Sequence, residues 1–118
     1  MDFNNDQSIA YLFGPNYKKY LSVINADRVV YHVYDLYEKY PGWNKENDLE
    51  HRWLIDHADL VIASSQSIVK HVESISGRKV NLLENGVDYQ AFSKRGAALP
   101  NDLKYIKKPI IMYVGNIN

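Results

Sequence analysis

Cysteine is absent from the 118 residues, which removes disulfides, thiolate nucleophiles and cysteine-type zinc sites and fits a reducing compartment. Net charge is absent too, with 14 Lys+Arg facing 14 Asp+Glu. Lacking a basic excess, the chain has no electrostatic footprint of a phosphate-backbone binder, so nucleic acid is not an expected partner. No apolar run approaches the roughly 18 to 20 residues that cross a bilayer. The start, Met1-Asp2-Phe3-Asn4-Asn5-Asp6, is polar and acidic, unlike a signal peptide. Membrane contact is therefore expected to be peripheral, and the cytoplasm is the expected compartment. Internal repeats and low-complexity segments are also missing. With 46% hydrophobic and 24% charged residues, the composition is that of one globular domain and not of a disordered chain.

What is present is an alternation of short apolar runs with amphipathic stretches. A strand buried on both faces reads as continuous Val/Ile/Leu, while a covering helix repeats every 3.6 residues. Strands are predicted over Arg28–Tyr34, Leu60–Ala63, Val80–Leu83 and Ile110–Val114. Residues 1–27 contain no predicted strand and no glycine-rich turn. Three helices are predicted, one ahead of the first strand and two between strands. One follows Gly14-Pro15, with Tyr17, Tyr20, Leu21 and Ile24 on one side. A second runs from about Glu46 to Ala58, with Leu49, Trp53, Leu54 and Ala58 facing inward. The third runs from a Ser65 N-cap through Ile68, Val72 and Ile75 to Gly77. Strands alternating with helices imply parallel pairing, so the expected class is α/β, a partial Rossmann-like open parallel sheet with flanking helices. Residues 90–108 show no sustained period and read as a linker. The run 110–114 ends at Gly115 with no helix after it to cover it, which points to a piece of a longer protein.

Asp35 directly follows a predicted buried strand, at the end where open α/β sheets place ligand-binding groups; capping the next loop is its alternative role. His32 and Tyr34 share one strand face, opposite Tyr31 and Val33, and a strand histidine is more often a hydrogen-bonded core residue than a catalyst. Glu50 and His57 fall inside the inward arc of the second helix, where a buried carboxylate needs a partner. Glu50 reads as an anchor for the loop after Asp35, with a substrate-site carboxylate as the other reading. Ser64-Ser65-Gln66 offers hydroxyls and a helix N-terminus, though capping explains the serines equally well. Asn85-Gly86 is a turn signature whose glycine accepts positive φ. The ten tyrosines and two tryptophans suit carbohydrate recognition. Tyr31, Tyr113 and Trp53 are expected in the core, and Tyr37, Tyr40 and Trp43 are the better contact candidates. The four histidines show no paired helical spacing and no Asp-x-Asp occurs, so no metal is expected.

Taken together, Arg28-Val29-Val30-Tyr31-His32-Val33-Tyr34-Asp35, Glu50 ahead of Ala58-Asp59-Leu60-Val61-Ile62-Ala63-Ser64-Ser65, Leu83-Glu84-Asn85-Gly86-Val87-Asp88 through Phe92, and Pro109-Ile110-Ile111-Met112-Tyr113-Val114-Gly115 form a series. In order and spacing, over about residues 27–117, it resembles the group 1 (family 4-like) glycosyltransferases of the two-domain GT-B fold, especially bacterial enzymes that build cell-surface polysaccharides. The resemblance implies that 1–89 is the second half of the acceptor-side N-terminal domain. It makes 90–108 the interdomain linker and 109–118 the first strand of the donor-binding domain. It implies transfer of a sugar from a nucleotide-sugar donor to a carbohydrate or lipid-linked acceptor, without metal or other cofactor, in the cytoplasm near the inner membrane face. Asp35 would be the catalytic position, as base in an inverting reaction or acceptor ligand in a retaining one. His32, Tyr34, Glu50, Ser65, Asn85 and Gly86 would bind substrate, and Gly115 and Asn116 would approach the donor phosphates. Tyr34 stands where many members carry histidine, and Asn116 where a basic residue is common. The glycine-rich loop and the Glu-x7-Glu pair of the family are missing, so the isolated chain is expected to be inactive. Its exposed sheet edges predict self-association. Two other readings are a non-catalytic α/β interaction module and a receiver-like signalling domain. The second fits poorly, because Lys108-Pro109 precedes a strand where receivers carry Lys-Pro after the last one.

Overall fold

A computed structural model describes residues 7–94 and 100–115. The chain separates into two units, Met1–Gly86 and Val87–Asn118.

The first unit carries a four-stranded parallel sheet in the order β1 (Ile9–Leu12), β2 (Arg28–Val33), β3 (Leu60–Ala63) and β4 (Asn81–Leu82). An α/β class is therefore established, with helices between parallel strands. β1 corrects the expectation that residues 1–27 hold no strand. Its four residues, Ile-Ala-Tyr-Leu, alternate exposed and buried positions, and the run is too short to register as an apolar stretch. Asp27 locks its start, accepting the Ser8 N–H at 2.7 Å and the Ser8 hydroxyl at 3.0 Å, bonds that hold its carboxyl below the usual pKa.

Connections between parallel neighbours are right-handed. Because each new strand is added on the same side of the last, every crossover falls on one face of the sheet. That face forms the core, where Leu12, Tyr31, Val33, Val61 and Ala63 pack against residues of the two long helices. The first of these, α1 (Lys45–His57), opens on a capping box in which Asn44 and Asn47 exchange backbone N–H bonds at 3.0 and 3.3 Å. The predicted inward arc is corrected here. The buried stripe is His51, Leu54, Ile55 and Ala58, at i, i+3, i+4, i+7, whereas Leu49, Trp53 and His57 lie outside it and are exposed. α2 (Gln66–Ser76) begins at the predicted Ser65 cap and ends at Gly77 in the left-handed region, φ 69°. Arg78 then reaches back, its guanidinium donating to the Ile55 and Ala58 carbonyls at 2.5 Å each, which satisfies orphan acceptors at the end of α1.

The segment Pro15–Ser22 is a 3-10 helix instead of the expected α-helix. The Asn85-Gly86 turn does not form either: residues 83–88 adopt no turn, and Gly86 is not among the glycines with positive φ.

Within the second unit the described elements are α3 (Tyr89–Phe92), capped by Asp88, and a 3-10 helix at Asn101–Leu103. The strand expected over 110–114 is not formed. Ile111 and Val114 are exposed, and Tyr113, expected in the core, is exposed as well. A strand exists only beside a hydrogen-bonded neighbour, and no described residue of this unit supplies one.

No helix among the described residues is long and apolar enough to cross a membrane.

Candidate functional site

Parallel strands bring all their carboxyl ends to one edge. Here β1 delivers Phe13 and Gly14, β2 delivers Tyr34 and Asp35, and β3 delivers Ser64 and Ser65. Backbone and hydroxyl bonds knit these loops together. The Ser64 hydroxyl donates to the Tyr34 carbonyl at 2.8 Å. The buried Tyr37 hydroxyl donates to the Phe13 carbonyl, lies 3.3 Å from the His32 carbonyl, and accepts the Tyr34 N–H at 3.3 Å. One phenol thus joins the first two loops, and its burial raises its pKa. Tyr37 was a predicted ligand contact; it is instead a structural staple, 5% exposed.

Asp35 is half-buried at the rim. Its Oδ1 accepts the Leu36 N–H at 2.8 Å, and its Oδ2 accepts the Tyr40 hydroxyl at 2.5 Å. Donation to an ionised oxygen is charge-assisted and short, and it pushes the Tyr40 phenol pKa up to about 12. A carboxylate offers about four lone-pair sites, so these two bonds leave room for further hydroxyl donors.

At the ends of β1 and β2 stands a chain of rings. Phe13, Tyr34 and Tyr40 are exposed. Phe13 and Tyr34 have centroids 6.4 Å apart, and Phe13 and His32 are 5.7 Å apart. His32 shares its strand face with Tyr34 as expected, is buried, and meets the Tyr11 hydroxyl through Nδ1 at 3.1 Å, while its buried Nε2 has no partner among the described residues. Burial lowers its pKa, favouring the neutral ring.

Beneath the loop the anchor is His51, not Glu50. Glu50 is half-buried and makes no side-chain hydrogen bond or ion pair with any described residue. His51 accepts or donates at 2.7 Å to the Tyr31 hydroxyl and packs edge-on against Trp43 and Tyr37 at 5.8 and 5.9 Å. Its Nε2 has no partner among the described residues, and burial lowers its pKa to about 4. The signal that would have found it is the His51–Leu54–Ile55–Ala58 spacing. The loop is also tied to α2, where His71 Nε2 and Glu38 Oε1 stand 2.7 Å apart.

The remaining predicted site residues scatter. The Ser65 hydroxyl accepts the Ile68 N–H at 3.4 Å and pairs with Ser67 at 2.9 Å, so helix capping engages it. Asn85 and Gly86 follow β4, the edge strand two places from β2, and are exposed. Gly115 belongs to the second unit, and Asn116 lies outside the described residues. Among the described residues the structure pairs Asp35 with Tyr40, and brings His32 and Tyr34 together with Phe13. Among the described residues no group of three His, Asp or Glu could hold a metal ion. No protein-family model, curated protein or solved structure matches the chain.

Proposed function

We propose that this chain forms the acceptor-side wall of a glycosyltransferase of the two-domain GT-B type, moving a sugar from a nucleotide-sugar donor to a carbohydrate or lipid-linked acceptor. One observation carries this reading: a half-buried carboxylate, Asp35, at the carboxyl end of a central parallel strand, holds the Tyr40 phenol, and the exposed rings of Phe13 and Tyr34 follow the ends of β1 and of the same strand β2. A sugar offers hydroxyls to a carboxylate and C–H faces to aromatic rings, so the two chemistries match. In the ground state the Tyr40 hydroxyl occupies Oδ2. An acceptor hydroxyl would displace it or take a vacant lone pair, and Asp35 would orient that hydroxyl towards the donor sugar. His51 and Tyr37 hold the loop beneath. Gly115 and Asn116 are the proposed donor-phosphate contacts.

The test is sugar transfer by the product of the complete coding sequence, assayed against a panel of nucleotide sugars. Asp35→Asn keeps the size and the Leu36 N–H acceptor but removes the charge, and it should lower kcat at least 100-fold with an unchanged unfolding midpoint. Unchanged turnover would remove Asp35 from the reaction. Loss of folding without a specific loss of turnover would favour a loop-capping role and the non-catalytic interaction module.

A further inference from the structure

Between Asp6 and Asp27 the only charged residues are Lys18 and Lys19, and both lie on the 3-10 helix. With three residues per turn, side chains at i and i+3 eclipse. Tyr17, Tyr20 and Val23 therefore form one row, and the Val23 N–H continues the pattern by donating to the Tyr20 carbonyl at 3.0 Å. That row faces outward: Tyr17 is 44%, Tyr20 46% and Val23 78% exposed. Leu21, on the adjacent row, packs against the core and fixes the orientation. The lysines flank the rings. Lys19 Nζ lies 5.3 Å from the Tyr20 centroid, and Lys18 Nζ lies 4.9 Å from that of Trp53, which stacks on His57 at 4.3 Å. Lys18, Lys19, Leu21, Ser22 and Trp53 line an open groove of about 490 Å³.

We propose that this face docks on an anionic lipid surface. Tyrosine and tryptophan combine an apolar body with a polar tip and favour the headgroup layer, and a lysine stem lies along apolar surface while its ammonium stays in water. The Tyr17–Tyr20–Val23 row would enter the headgroup region. The two ammoniums, which answer no carboxylate within ion-pair distance among the described residues, would meet lipid phosphates. A soluble anion would use the groove but leave the outward row without a role, which favours the bilayer. This inference stands independently of the proposed transferase activity.

The full chain should co-sediment with vesicles of equimolar phosphatidylcholine and phosphatidylglycerol, and not with phosphatidylcholine alone. Rising salt should weaken binding, because the attraction is screened. Lys18→Gln with Lys19→Gln should weaken it about 25-fold, roughly fivefold per lysine. Tyr17→Ser with Tyr20→Ser should weaken it while keeping the salt dependence. Failure to sediment, equal binding to neutral vesicles, or indifference to the tyrosine pair would overturn the proposal. So would displacement by glycerol phosphate at constant ionic strength, which would assign the groove to a soluble anion.

Discussion

Acidification from pH 6.5 towards pH 4 should destabilise the first unit by forcing a charge onto His51. This imidazole is 2% exposed and titrates near 4 in the folded chain against 6.5 when unfolded. Across that window the unfolded chain binds the proton and the folded chain does not, so stability is full above pH 6.5 and falls as the pH approaches 4. At about 1.4 kcal/mol per pH unit, the loss reaches roughly 3 kcal/mol by pH 4. This is a large part of the ~5–15 kcal/mol that holds a domain together. Burial moves His32 the same way and adds to the slope. Urea unfolding at a series of pH values measures the loss. Trp43, whose ring centroid is 5.8 Å from that of His51, supplies a local fluorescence signal. His51→Gln retains a neutral hydrogen-bonding partner for the Tyr31 hydroxyl but cannot be charged, so it should flatten the profile. A parent profile losing under about 1 kcal/mol across the window, or a glutamine variant as steep as the parent, would refute the reasoning.

Arg78→Ala removes both guanidinium bonds from the end of α1 and leaves the Ile55 and Ala58 carbonyls unpaired. It should cost about 2–4 kcal/mol in urea unfolding, with Arg78→Lys intermediate; a loss within error would show that water replaces it freely. Tyr40→Phe should remove the phenol titrating near 12 from an ultraviolet pH titration, whereas persistence of that step would assign it to another tyrosine. Phe13→Lys places a charge on the exposed sheet face and should lower the sedimentation-average mass without lowering the urea midpoint. A parent that sediments as a monomer at all concentrations would remove the expectation of self-association.

The central elements were legible because their residues carry signals that tertiary packing does not override. Arg28–Val33 and Leu60–Ala63 are runs dense in β-branched residues, and α2 has both a serine cap and a C-terminal glycine. The place of Asp35 just beyond a central strand was legible from that strand alone. The errors have physical sources. α1 offers two overlapping apolar arcs, and the one containing Leu49 and Trp53 lost to the one containing His51, because a histidine counts as polar until its Tyr31 partner is known. Ile110–Val114 is the most apolar run in the chain, yet apolarity selects a strand only where a neighbour offers backbone partners. The cap at Asp35 by Tyr40 spans five residues of loop, and no periodicity announces it.

The direction in which the sheet grows links the fold to the proposed site. Strands β1 to β4 add one after another to the same side, and right-handed crossovers then confine the 3-10 helix, α1 and α2 to one face. Tyr11, Phe13 and Tyr34 remain exposed on the opposite face, with His32 and Ile62 among them. Open α/β sheets present their ligand-binding groups at the carboxyl ends of the strands. Phe13, Tyr34 and Asp35 follow the carboxyl ends of β1 and β2, where the exposed aromatic face meets the loop that carries the carboxylate, whereas Asn85 and Gly86 follow the outermost strand, β4.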